Sequence, residues 1–110
     1  MEPAFNLWIE VGGKVAFSVW RAELLKTVAE SGSISTAARR MHVPYRTAWL
    51  KIHEMEKRLG AKLVSTRAGG RQGGGTRLTQ TGQEYVTKME RFHTELASLV
   101  TTKYEEIFEG

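Results

Sequence analysis

The stretch 33–60 predicts two helices joined by a tight turn, and it limits the possible folds of this chain more than any other stretch. Ser33 or Ser35 is an expected N-cap for the first helix, which we predict to end near Met41. After a short turn, we expect Pro44 at the first position of the second helix, where its missing N–H costs nothing. Two helices so joined are typical of a helix-turn-helix.

The second of these helices, from Pro44 to about Leu59, is predicted to have one apolar side and one basic, aromatic side. Residues on the apolar side recur at i, i+4, i+7 and i+11, which places them on one face toward a core: Ala48, Ile52, Met55 and Leu59. The start of the helix carries the candidates for reading DNA bases in the major groove: Tyr45, Arg46, Thr47, Trp49 and Leu50.

The base-reading candidates differ in the contacts that their chemistry favours. Arg46 is expected to bridge O6 and N7 of a guanine. Tyr45, Thr47 and Trp49 suit thymine methyl groups or phosphates, and Leu50 lies further along the same face. Trp49 lies on a shoulder of the helix, so packing in the core and contact with DNA both stay open for it.

Charge is concentrated around this unit. The chain has a net charge of +4, but the stretch 39–77 holds ten Lys/Arg and two Glu, whereas the flanks hold six basic and ten acidic residues. Such segregation is typical of a polyanion-binding face, and the alternative is a solvated basic surface. The candidates for neutralising phosphates are Arg39, Arg40, Lys51, Lys57, Arg58, Lys62, Arg67, Arg71 and Arg77.

A glycine-rich stretch follows the helix-turn-helix. Five of the eleven glycines fall within 67–77, between a predicted strand over 62–66 and another at 78–79. A glycine-rich hairpin directly after a helix-turn-helix predicts a wing, here over 62–79. We expect Arg71 to be the charge that enters a minor groove. A phosphate-binding loop is the competing interpretation, but the stretch lacks the required lysine and precedes a strand.

Two further elements frame the wing and the helix-turn-helix. Alternating apolar residues over 5–11 and a return over 15–17 predict a hairpin (5–17) with a half-buried first strand. Ser18 is an expected cap for a helix reaching about Glu30.

The last helix is predicted over 80–108, with Thr79 or Thr81 as its cap. Five apolar residues, which we call the heptad stripe, are spaced four, three, four and three apart: Tyr85, Met89, Phe92, Leu96 and Leu99. The stripe either packs on its own domain or pairs with a second copy. Because it exceeds what a three-helix core needs, we favour a two-fold dimer.

Several classes of function are disfavoured by composition. The chain has no cysteine and no aspartate, and its three histidines lack metal-ligand spacing, so we expect no catalytic site, metal or cofactor. No apolar run approaches the length of a membrane span, and we expect no membrane partner and a cytoplasmic, nucleoid-associated protein.

Taken together, these stretches resemble the N-terminal winged helix-turn-helix of LysR-type bacterial regulators, and more closely the DNA-binding domain of the molybdate-responsive ModE family. The resemblance covers nearly the whole chain. The segments that carry it are Ser31–Ser35, Tyr45–Trp49, Glu54-Met55, and the glycine-rich wing ending in Leu78-Thr79 and Gly82. The family tends to place an arginine two residues after the Leu63-Val64 pair, where this chain has Thr66 followed by Arg67.

The resemblance implies one winged helix-turn-helix domain over 1–110, mainly α with small β, ending in a long dimerisation helix. It further implies a dimeric, sequence-specific transcriptional regulator of palindromic operators, linked to molybdate or another oxyanion. ModE-like proteins usually continue into oxyanion-binding domains. We expect none within 1–110, so the effector is not bound by this stretch. The alternatives are a nonspecific architectural DNA-binding protein and a DNA-binding module that recruits a separate sensor protein.

Overall fold

The computed structural model describes residues 1–67 and 75–110 and is mainly helical, as predicted. Its elements in chain order are the strands β1 (Trp8–Val11) and β2 (Lys14–Ser18), the helices α1 (Val19–Ser31), α2 (Ile34–Arg40) and α3 (Tyr45–Leu59), the strands β3 (Val64–Arg67) and β4 (Gly75–Leu78), and the helix α4 (Gln80–Tyr104). A wider π-helical turn, Glu105–Glu109, ends the last helix. The predicted wing tip with Arg71 lies outside the described residues.

Hydroxyl side chains begin three of the helices. Ser18, Ser33 and Thr79 each accept a hydrogen bond from the backbone N–H three residues further on, at 3.0, 3.1 and 3.0 Å. The prediction for Pro44 was wrong by one position. Its ψ of 148° is extended, so it is the N-cap of α3 and its carbonyl accepts the first helical N–H groups.

The turn between α2 and α3 is tight because the chain reverses at one left-handed residue. His42 has φ 58°, and the flanking N–H groups of Met41 and Val43 donate to the carbonyls of Ala37 and Ala38. With the His42 N–H on the Arg39 carbonyl, this arrangement gives partners to three of the last four carbonyls of α2.

The core lies where α1, α2, α3 and the base of α4 meet. Its fully or nearly fully buried members come from each of these helices and from the segment between α3 and β3: Leu24, Leu25, Val28, Ala37, Ala38, Ala48, Ile52, Met55, Leu63, Val86 and Met89. Ala37 and Ala38 are small, which lets α2 cross α3 closely. The predicted apolar side of α3 is therefore confirmed as buried at Ala48, Ile52 and Met55, and its last member, Leu59, is half-buried.

The N-terminal hairpin differs from its prediction. β1 and β2 pair antiparallel, but the expected half-burial of β1 is wrong, because all four of its residues are exposed. Only β2 backs onto the helices, with Phe17 buried. The strand starts at Trp8; Phe5 lies instead against α4, where its ring stacks on His93 at a centroid distance of 5.3 Å.

The helix α4 has an inner half that packs on the domain and an outer half that leaves it. Lys26 Nζ of α1 lies 2.9 Å from Glu90 Oε2 of α4, which marks the end of the packed half. Beyond it, Phe92 is 48% exposed and Leu99 53%. The longest dimension of the molecule, 62 Å, reflects this projection. Within 1–67 and 75–110, no helix has both the length and the apolar character of a membrane span.

Candidate nucleic-acid interface

The helix α3 presents most of the predicted base-reading residues to solvent. Tyr45, Trp49 and Leu50 are 53%, 40% and 44% exposed, and Arg46 is exposed beside them. Thr47 is half-buried. Exposed aromatic and aliphatic side chains of this size, grouped on one helix face, are characteristic of a binding surface rather than of a packing surface.

Trp49 is held in place by His53. The two rings stack with a centroid distance of 3.7 Å, and His53 Nδ1 lies 2.8 Å from the Trp49 backbone oxygen. Because a carbonyl only accepts, Nδ1 is the donor in this bond. The structure thus places Trp49 on the surface and not in the core, with His53 beside it on the same face.

A cluster of charged side chains lies on the flank of α3. Its centre is Glu54 Oε2, which is 3.4 Å from Arg21 Nη2, 3.5 Å from Lys51 Nζ and 3.7 Å from Arg58 Nη1. Arg58 also donates to the Val15 carbonyl at 2.6 Å. Two of the candidate phosphate contacts, Lys51 and Arg58, are therefore already engaged within the domain.

Arg21 is the buried member of this cluster. It is 6% exposed, and burial lowers its pKa from the ordinary arginine value; the charge of Glu54 opposes this shift, and that of Arg58 adds to it. Its Nη1 is buried and finds no hydrogen-bond partner among the described residues. Helical periodicity places Arg21 on the apolar stripe of α1, three, four and seven residues before Leu24, Leu25 and Val28, but it does not identify the partner of the charge.

The two strands of the wing pair antiparallel, with Val64 opposite Leu78 and Arg67 opposite Gly75. Arg67 and Arg77 are both exposed on these strands. An open groove of about 880 Å³ separates the strands from α3, and it is lined by aromatic rings on one wall and hydroxyl groups on the other: Tyr45, Trp49, His53, Ser65, Thr66 and Thr76.

The wing base is fixed to α3 by a buried carboxylate that sequence reasoning missed. Glu56 is 9% exposed and accepts hydrogen bonds from the N–H groups of Leu63 and Val64 at 2.8 and 3.2 Å. Its neighbour Lys62 Nζ lies 3.8 Å away and is otherwise exposed. The sequence signal was its place on the apolar face of α3, four residues after Ile52 and eight after Ala48.

The remaining predicted residues occupy two places. Arg39 and Arg40 are exposed at the end of α2, where Arg39 donates to Thr36 at 3.4 Å. The heptad stripe is divided. Met89 is in the core of its own chain and Tyr85 packs edge-on against Phe17, whereas the outer part (Phe92, Leu96, Leu99) is exposed or half-exposed. Among the described residues, no cluster of His, Cys, Asp or Glu could hold a metal ion.

The geometry of a helix-turn-helix followed by a two-stranded wing agrees with a family comparison. Residues 21–83 match the bacterial regulatory helix-turn-helix proteins of the lysR family. This chain belongs to the lysR family. In this lysR-family chain the match begins at Arg21 in α1, includes the helix-turn-helix and the wing, and ends in the first turn of α4.

Individual relatives agree with this assignment. The lysR-family chain is 36% identical over 94 residues to the molybdenum transport protein ModE of Azotobacter vinelandii (86% of this chain, 35% of the relative). It is 36% identical over 86 residues to the DNA-binding transcriptional dual regulator ModE of Escherichia coli K12 (78% and 33%). The chain thus spans about a third of the length of these relatives.

A solved structure of similar fold is the DNA-binding domain of CbnR in complex with DNA. It superimposes with a TM-score of 0.62 at 24% identity, over 82% of this chain and 97% of that one. This likeness shows the winged helix-turn-helix fold.

Proposed function

We propose that residues 1–110 are the DNA-binding part of a sequence-specific transcriptional regulator, with α3 in the major groove. The observation that carries the proposal is the exposed face of α3, where Tyr45, Arg46, Trp49 and Leu50 stand free of the core. The opposite face of the same helix, at Ala48, is fully buried. A helix fixed on one side and open on the other is what insertion into a groove requires.

In this proposal the base edges are read by the start of α3. Arg46 takes a guanine through O6 and N7, and the apolar surfaces of Tyr45, Trp49 and Leu50 take thymine methyl groups. Thr47 is half-buried, and its hydroxyl suits a phosphate at the groove edge. Trp49 is the strongest apolar reader, because His53 already fixes its ring.

Affinity comes chiefly from phosphate contacts, which surround the reading face. Four exposed arginines are proposed for these contacts, two at the end of α2 and two on the wing strands: Arg39, Arg40, Arg67 and Arg77. Lys51 joins them by exchanging Glu54 for a phosphate, and Arg71, which lies outside the described residues, is proposed as the minor-groove contact of the wing. Each phosphate that is neutralised releases counterions, so affinity falls steeply with salt.

We further propose that the regulator is a homodimer on a palindromic operator. The outer part of the heptad stripe (Phe92, Leu96, Leu99) supplies the interface, since Met89 and Tyr85 serve their own domain. Two copies joined in this way place their recognition helices about 34 Å apart, one turn of DNA.

The names of the relatives support a metabolic context. A molybdenum transport protein and a transcriptional dual regulator, both ModE, are each 36% identical to the chain. We propose that the target genes serve molybdate or another oxyanion, that the protein works at the nucleoid in the cytoplasm, and that residues 1–110 bind DNA and not the effector.

The test is a genome-wide map of bound sites followed by footprinting and affinity measurements on the best site. We expect a palindromic footprint with nanomolar affinity in moderate salt. Equal affinity for random DNA would replace this proposal with a nonspecific architectural role. If specific binding required a second protein that carries the sensor and binds to α4, the chain would instead be a DNA-binding module that recruits that sensor.

A further inference from the structure

Leu63 lies at the point where the recognition helix, the wing and the dimerisation helix meet. It has no exposed surface. Its N–H donates to Glu56 Oε2 of α3 at 2.8 Å, and its carbonyl oxygen accepts the N–H of Thr79 at 2.9 Å. One residue therefore joins the last turn of α3 to the cap of α4 through its two backbone groups.

Of the two connections that Leu63 makes, the one to α3 is stronger than the one to α4. The same Glu56 oxygen also accepts the N–H of Val64, and charge-assisted bonds of this kind are about twice as strong as neutral ones. Glu56 is 9% exposed, so little water competes for its carboxylate. These two bonds fix Leu63 and Val64 to α3.

The side toward α4 has almost no space. A Cβ placed on Gly82 would lie 2.2 Å from the Leu63 carbonyl oxygen, so only glycine lets the first turn of α4 sit on that carbonyl. The Thr79 hydroxyl completes the contact. It accepts the Gly82 N–H at 3.0 Å and donates to the Lys62 carbonyl at 2.7 Å.

We propose that Leu63, held by Glu56 and seated against Gly82, is the joint that sets the angle between α3 and α4, and that this angle selects the spacing between half-sites. The inference rests on the proposed dimeric function. Phe92 and Leu99 lie ten and seventeen residues beyond Gly82, about 15 and 25 Å along the helix. At that distance, a small tilt at the base moves the partner's recognition helix along the DNA.

The first experiment measures the angle without DNA. Because the chain has no cysteine, spin labels can be placed at Lys57→Cys on α3 and Thr102→Cys on α4, both exposed positions. Labelled protein is diluted into unlabelled protein so that only distances within one chain are measured. Gly82→Ala should shift the distance distribution, and Gln83→Ala, an exposed neighbour in the same turn, should leave it in place. An unshifted distribution in Gly82→Ala would overturn the proposal.

The second experiment measures spacing on DNA, with palindromes whose half-sites are moved apart in steps of one base pair. Wild-type protein should prefer one spacing, and Gly82→Ala should move or flatten that optimum while its affinity for a single half-site stays within about twofold. The same optimum in both proteins, or an equal loss on every site, contradicts the joint. If wild-type protein shows no preferred spacing, the dimeric function fails, and the label distances still test the joint.

Glu56→Gln serves as a second variant if Gly82→Ala folds poorly. It keeps a carbonyl oxygen at the same place but removes the charge that strengthens both bonds to the wing base. We expect a broader label distance distribution and a flatter spacing optimum than in the wild-type protein. A distribution as narrow as that of wild type would count against Glu56 as the fixing group.

Discussion

The rings of Trp49 and His53, one turn apart on α3, stack with centroids 3.7 Å apart and an interplanar angle of 23°. The imidazole is itself fixed by its bond to the Trp49 carbonyl. The indole is thereby held in one orientation while 40% of the residue surface stays exposed. A side chain ordered before binding loses less entropy when it contacts DNA.

We therefore expect His53→Ala to weaken operator binding by about 0.5–1.5 kcal/mol, because the freed indole must be ordered on binding. Trp49→Ala should cost more, since it also removes the contact. Fluorescence anisotropy with labelled operator measures both. His93→Ala is the matched control, because His93 stacks on Phe5 beside α4, away from the reading face. An unchanged affinity in His53→Ala would mean that Trp49 does not touch DNA in its stacked form.

Arg46→Ala should cost about 1–3 kcal/mol on the operator and little on random DNA, because a guanine contact exists only at the correct base. Arg39→Ala provides the comparison. It should weaken binding to both DNAs and lower the salt slope by about 1, as loss of a phosphate contact does. If Arg46→Ala lowered both affinities together, Arg46 would be a phosphate contact.

The face of α3 could be predicted from sequence because one helix period fixes which side is buried. Ala48, Ile52 and Met55 are all fully buried, as their spacing predicted. The helix caps could also be predicted, because a cap depends only on a hydroxyl residue placed directly before the helix. Trp49 stayed ambiguous because a shoulder position is decided by what packs beside it, and that partner was His53.

Contacts between residues distant in sequence could not be predicted in this way. Periodicity gives a face but no partner: it places Arg21 on the buried face of α1, whereas its pairing with Glu54, thirty-three residues away, had no sequence signal. The exposure of β1 could not be predicted for the same reason. Alternation predicts two faces, but only the packing of β2 on the helices decides that β1 lies outside.

Replacing Arg21 with methionine should leave stability unchanged or raise it by about 1–4 kcal/mol, as often happens when a buried ion pair becomes apolar. Arg21 makes one long contact to Glu54, 3.4 Å, and leaves Nη1 without a partner among the described residues. Urea unfolding followed by circular dichroism gives the free energy. A loss of several kcal/mol would show that the ion pair stabilises the fold.

Glu54→Ala should act in the opposite direction. Glu54 is the shared partner of Arg21, Lys51 and Arg58, and its removal leaves three positive charges close together. We expect a loss of about 1–3 kcal/mol, less than for a fully buried pair because the Glu54 side chain is 32% exposed. Combining it with Arg21→Met should recover part of the loss, and simple additivity of the two changes would contradict the coupling.

The dimer interface is best tested at the outer part of the heptad stripe, since a charge at the buried Met89 would damage the fold itself. Leu96→Glu combined with Leu99→Glu should give monomers by light scattering, because two carboxylates in an apolar interface must be desolvated. The monomer should bind a single half-site as before and lose the extra affinity for the palindrome. Ser98→Glu, exposed between them, is the charge control. If the double variant dimerised as strongly as the wild-type protein, the interface would lie elsewhere, and the exposed hairpin strand β1 would be the next candidate.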